Sequence, residues 1–90
     1  MTDPLSITLA DALANLTVSI DMTDDEDVDP DVCVPWLEDV VDKLGRLSTD
    51  DRHRLARMIR EVAGREPDAR RRAALLETPY HLGLEDPDDE

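Results

Sequence analysis

The stretch Leu47 to Gly64, LSTDDRHRLARMIREVAG, constrains the fold most strongly, because its ends and its face are all marked. Ser48 is an N-cap residue, able to accept a hydrogen bond from an orphan N–H of the first turn. Asp50 and Asp51 put negative charge at the positive end of the helix dipole. Leu55, Met58, Ile59 and Val62 recur at i, i+3, i+4 and i+7, which is one apolar stripe of a helix. Arg52, Arg54, Arg57 and Arg60 fall largely off that stripe, and Gly64 reads as the C-terminal stop. So narrow a stripe is stable only when buried against other helices, which the flanking segments must supply.

Each flank offers one. Toward the N-terminus, residues 1–7 read as frayed, Thr8 as a cap with Asp11 three residues on, and Leu9, Leu13, Leu16 and Ile20 as a helical face. Leu16, Val18, Ile20 and Met22 also alternate as a short strand would, so 17–22 stays open between helix and strand. Pro35 suits a first helical position. After it, Trp36, Leu37, Val40, Val41 and Leu44 make a buried face that Gly45 ends. Beyond Gly64, Pro67 and Asp68 start another helix, with Ala69, Ala73, Leu75 and Leu76 as its apolar side and Thr78-Pro79 as its stop. Tyr80, Leu82 and Leu84 then fold back as a clip. With no Phe, one Trp and one Tyr, the core must come from Leu, Val, Ile, Ala and Met, which suits helix packing. The expected fold is all-α: a small bundle of three main helices plus a short N-terminal one, in a single domain over residues 1–90. An acidic loop at about 21–34 and a disordered acidic tail at 85–90 complete it.

Charge narrows the partners. The net charge of −13 opposes direct binding to nucleic acid, whose affinity is drawn from Lys and Arg, and it disfavours anionic membranes. It favours a basic protein partner. The segment Asp21 to Asp31 holds seven carboxylates and no base, so like-charge repulsion predicts a loop. Nine of the ten bases lie between Arg46 and Arg72. Cys33 is the single cysteine, which fits a reducing compartment. The N-terminal stretch has no basic leader, and no apolar run approaches the roughly 18 residues needed to span a bilayer. A cytoplasmic protein that does not engage membranes is expected.

Little in the chain points to a reaction. The segment Asp27 to Glu38 has acids at positions 1, 3, 5 and 12 of a twelve-residue calcium loop, which would wrap oxygens around the ion. Val32 stands where such a loop needs Gly, and Pro30 and Pro35 stiffen it, so a solvated acidic loop outweighs calcium. His53 among arginines, His81 in the clip and Cys33 are far apart in sequence and match no zinc or nucleophile signature. The triplet Arg70-Arg71-Arg72 could grip phosphate, but pairing with Glu66, Asp68 and Glu77 weighs more. Trp36 reads as a core anchor first and as an interface anchor second. No enzymatic role, cofactor or metal is expected.

The segments WLEDVVDKLGRLSTDDRHRLARMIREVAG and LLETPYHLGL resemble small helical proteins of GC-rich bacteria, several of which travel as immunity or antitoxin partners of secreted toxins. That resemblance implies a non-enzymatic inhibitor that blocks a basic partner such as a toxin. The residues then expected to meet the partner are Asp24, Asp25, Asp27, Asp29 and Asp31 of the acidic loop, with Trp36, Glu38, Asp39 and Asp42. The alternative is a regulatory acidic adaptor, or a nucleic-acid mimic acting on a DNA-binding protein. Such a mimic competes with DNA and loses affinity steeply in salt.

Overall fold

In a computed structural model, residues 3–23 and 29–85 are described, and all their regular structure is helical. The helices are α1 (Pro4–Met22), α2 (Pro30–Leu44), α3 (Thr49–Arg65) and α4 (Ala69–His81). All four start the same way. A side-chain oxygen just before the helix accepts from an N–H of the first turn: Asp3 from Leu5, Asp29 from Asp31, Ser48 from Asp51 and Asp68 from Arg71. Each cap satisfies a donor that the helix itself leaves orphaned.

The Ser48 start of α3 matches the sequence reading, and Ile59 and Val62 are buried as expected. Ala56 and Ala63 join them, while Leu55 and Met58 are half-covered at the edge. Gly64 lies inside the helix rather than stopping it; Glu66 is the C-cap.

The N-terminal helix runs 19 residues, which settles 17–22 as helix and brings residues 4–7 into it as well. It turns a different face inward from the one its leucines suggested. Ala10, Ala14, Thr17 and Val18 are buried against α3 and α4, whereas Leu9 and Leu16 are 61% and 62% exposed. Alanines let two helix backbones approach to the near end of the usual 8–10 Å range, which leucines would prevent. The Thr17 hydroxyl donates to the Leu13 carbonyl and the Thr78 hydroxyl to that of Ala74, so both buried polar groups are satisfied. By length and composition α1 could also cross a membrane, contrary to the expectation that no segment could. The core helix of a bundle passes the same test.

The loop expected over 21–34 is helix at its two ends, and residues 24–28 between them lie outside the described residues. α1 carries through Met22, and α2 opens at Pro30 with Pro35 inside it. Pro30 takes the first helical position assigned to Pro35, where a missing N–H costs nothing. Gly45 caps α2 as predicted. α1, α3 and α4 pack closely on one another, while α2 lies on them more loosely, through half-buried Val40, Val41 and Leu44.

α4 likewise continues through Pro79, whose position in the last turn forfeits a single backbone bond. Its inner side is Leu75, Thr78 and Pro79; Ala69, Ala73 and Leu76 are exposed. The clip beyond it forms, with Leu82 and Leu84 each only 2% exposed. Gly83 turns the chain at φ +71°, and Leu84 N–H donates back to the Pro79 carbonyl.

Two glycines therefore give opposite expectations. A Cβ on Gly64 meets nothing within 4 Å, so Gly64→Ala should stabilise by about 1 kcal/mol through helix propensity. At Gly83 a Cβ would find ordinary contact with Val41, 3.6 Å away, so the penalty is the backbone's. Gly83→Ala should cost about 1–2 kcal/mol. Urea midpoints moving in opposite directions would bear this out.

Candidate interaction surface

The acids expected to meet a partner divide into two groups. Asp24, Asp25 and Asp27 lie outside the described residues. Asp29, Asp31, Glu38, Asp39 and Asp42 are all exposed on or beside α2. Spacings of seven and four residues bring Asp31, Glu38 and Asp42 onto one side of that helix. That side adjoins the half-buried Leu37, Val41 and Leu44, with Glu38 three residues before Val41.

Two of these acids already have neighbours. Asp39 accepts from Lys43 at 2.7 Å and Asp42 from Arg46 at 3.3 Å, both one turn along. In such exposed pairs the attraction is small and salt-screened, so the carboxylates remain available to a stronger base.

Trp36 is 60% exposed, against the core-anchor reading. Leu37, Val40, Val41 and Leu44 cover the inner side of α2, and the indole falls at the edge of their arc. Val32 and Val34 are also exposed, at 48% and 44%. α2 thus presents apolar groups close to its carboxylates.

Starting the helix at Pro30 also undoes the calcium-loop geometry. Asp31 and Glu38 stand about 10 Å apart along a helix axis, where a calcium loop would fold them around one ion. No set of three metal-binding side chains converges among the described residues.

Arg60, Arg71 and Arg72 act as brackets within the fold, while Arg54 and Arg65 pair within α3. Arg71 donates to the Asn15 side chain at 3.0 Å, the Asn15 carbonyl at 3.0 Å and the Ser19 hydroxyl at 2.8 Å, tying α4 to α1. Arg72 donates to the carbonyls of Glu66 and Pro67, closing the α3–α4 turn. The triplet's pairing is therefore mainly with polar and backbone groups of other segments, not with acids one turn away. His81 sits at the surface with Nδ1 3.8 Å from Asp21 Oδ2, and Cys33 is buried in α2 without a disulfide.

Arg60 makes a fork-to-fork pair with Glu85, its second nitrogen closing on the other carboxylate oxygen. Glu85, expected in a disordered tail, is thereby held on α3; residues 86–90 lie outside the described residues. The hydrogen bonds from Arg60 hold the Glu85 carboxyl below its ordinary value, against the opposing effect of burial. A depressed folded-state value means that the pair's stabilisation is present above the ordinary carboxyl value of 4.5. It is lost as pH falls from there through the lower folded value. Glu85→Gln should therefore flatten the pH dependence of stability below about pH 4.5 while lowering stability at pH 7. Thermal melts at pH 3 to 7 would measure this, and an unchanged slope would rule the pair out as a contributor.

No protein-family model, curated protein or solved structure matches this chain.

Proposed function

We propose that this chain is a non-enzymatic, acidic protein-binding module, an immunity-like inhibitor that binds and blocks a basic partner such as a toxin in the cytoplasm. The observation that carries this reading is on α2. Exposed Asp31, Glu38 and Asp42 share one side of the helix, and an indole 60% open to solvent lies on the same element. Carboxylates would steer a basic partner into encounter and set the on-rate; a buried aromatic would set the dwell time. The resemblance to small helical immunity proteins points the same way.

The test is capture from the native host's lysate on the tagged protein, washed at low and then high salt. One basic partner should survive the high-salt wash, and its activity should fall when this protein is added. Trp36→Ala should weaken that capture about thirtyfold, as loss of an interface anchor does. Glu38→Gln with Asp42→Asn should slow association and reduce its salt dependence. A scatter of basic proteins, all lost at high salt, would overturn the inhibitor reading. Capture of a DNA-binding protein that DNA displaces would favour the nucleic-acid mimic instead.

A further inference from the structure

α1 is apolar on both sides, yet only one side is covered. Its inner face of Ala10, Ala14, Thr17 and Val18 is buried, and its outer face carries Leu5, Leu9, Ala12 and Leu16, all exposed. A helix apolar all round belongs in an interior, so the outer face calls for cover. The spacing of that face is 4, 3, 4, the a/d rhythm of a coiled-coil seam. It is also palindromic, since both 5 with 16 and 9 with 12 are centred between residues 10 and 11.

We infer that the outer face of α1 is the interface of a twofold-symmetric homodimer, in which two α1 helices pack antiparallel with Leu5 against Leu16 of the second copy and Leu9 against its Ala12. A twofold interface must be complementary to itself, which this order of side chains is. The Leu9–Ala12 pairing sets a large residue against a small one, as interdigitated packing requires. No charged residue lies on the seam, and α1 contains no base that could mark it for an acidic partner. Continuous with the seam, Leu9, Leu13, Leu47, Leu55 and Met58 line a groove between α1 and α3, with the paired Asp51 and Arg54 at its side, which the second helix would flank.

The exposed area is sufficient. The three leucines are each 61–67% open, and with their half-covered neighbours they offer on the order of 500 Å² per copy. A pair would then bury about 1,000 Å², the lower bound for a specific interface. Each copy carries −13, so long-range repulsion opposes the pairing. Added salt should therefore strengthen the dimer, opposite to its effect on capture of a basic partner. Failure of either proposal is thus distinguishable from failure of the other.

Sedimentation equilibrium of the full chain at 1–300 µM, in 50 mM and 500 mM sodium chloride, tests the inference. The expected result is a monomer of 10.1 kDa passing to twice that mass, at lower concentration in high salt. Leu9→Asp and Leu16→Asp, both at exposed positions, should keep the helical circular dichroism and abolish the dimer. Register is read by cysteine pairs. Leu5→Cys with Leu16→Cys should cross-link two chains on oxidation, because within one helix these sites are about 16 Å apart and cannot bridge. Leu5→Cys alone should not. A monomer at every concentration and salt would overturn the inference, as would equal cross-linking by Leu5→Cys alone. A monomer that floats with neutral phosphatidylcholine vesicles would overturn it in favour of a bilayer as the cover.

Discussion

Replacing Ile59 with alanine should lower stability by about 3–4 kcal/mol, the larger part of what a domain of this size has. Ile59 and Leu75 are the largest side chains with no exposure at all among the described residues, and Ile59 lies in the core that α3 forms with α1 and α4. Truncation loses the transfer free energy of three carbons and leaves a cavity. The alanines that line much of the core are too short to fill it. The melting temperature should fall on the order of 15 °C. Ile59→Val, which removes one methylene, should cost about 1 kcal/mol. Equal effects of the two variants would mean that the site collapses freely and that this core is not close-packed.

The second large effect runs in the opposite sense, from too much side chain. Ala14 has no exposure and lies on the face where α1 meets α3 and α4. Ala14→Leu should destabilise by about 3 kcal/mol, because three further carbons must enter a space set by backbone approach. Leucine and alanine have similar helix propensities, so the loss would belong to packing alone. Ala73→Leu, on the exposed side of α4, is the control and should be within about 0.5 kcal/mol of neutral. If Ala14→Leu were tolerated equally well, the close approach of α1 to its neighbours would be refuted.

These two residues also show where the sequence could and could not be read. Ile59 was legible because α3 has polar residues on three sides, so its apolar stripe has one reading. α1 has two apolar sides, and local spacing cannot decide between them. The answer depends on how closely α3 and α4 approach, which only the assembled fold fixes. Spacing favours the leucines for the inner face, yet the smaller alanines occupy it. The starts of α1 and α2 were missed for one reason: Asp3-Pro4 and Asp29-Pro30 are cap-and-first-turn pairs. At Asp29-Pro30 the like-charge repulsion of 21–31, which argues for a loop, masks that signal. Of the residues expected to meet a partner, Glu38, Asp39 and Asp42 are exposed, as their charge dictates. The roles of Arg71 and Glu85 had no local signature, because their partners are at least 25 residues away.

The order of assembly follows from the arrangement of the helices. α1 packs on α3 and α4 but not closely on its sequence neighbour α2, and α2 leans on a clip made of residues 82 to 84. On the ribosome, α1 is complete about sixty residues before the last turn of α4 exists. At synthesis rates of roughly 5–20 residues per second, that is a wait of several seconds. For about the first forty residues of that wait, until α3 is complete, a helix apolar on two sides has neither of the helices it packs closely against. Of the four helices, the most apolar is thus made before either of the helices that cover it.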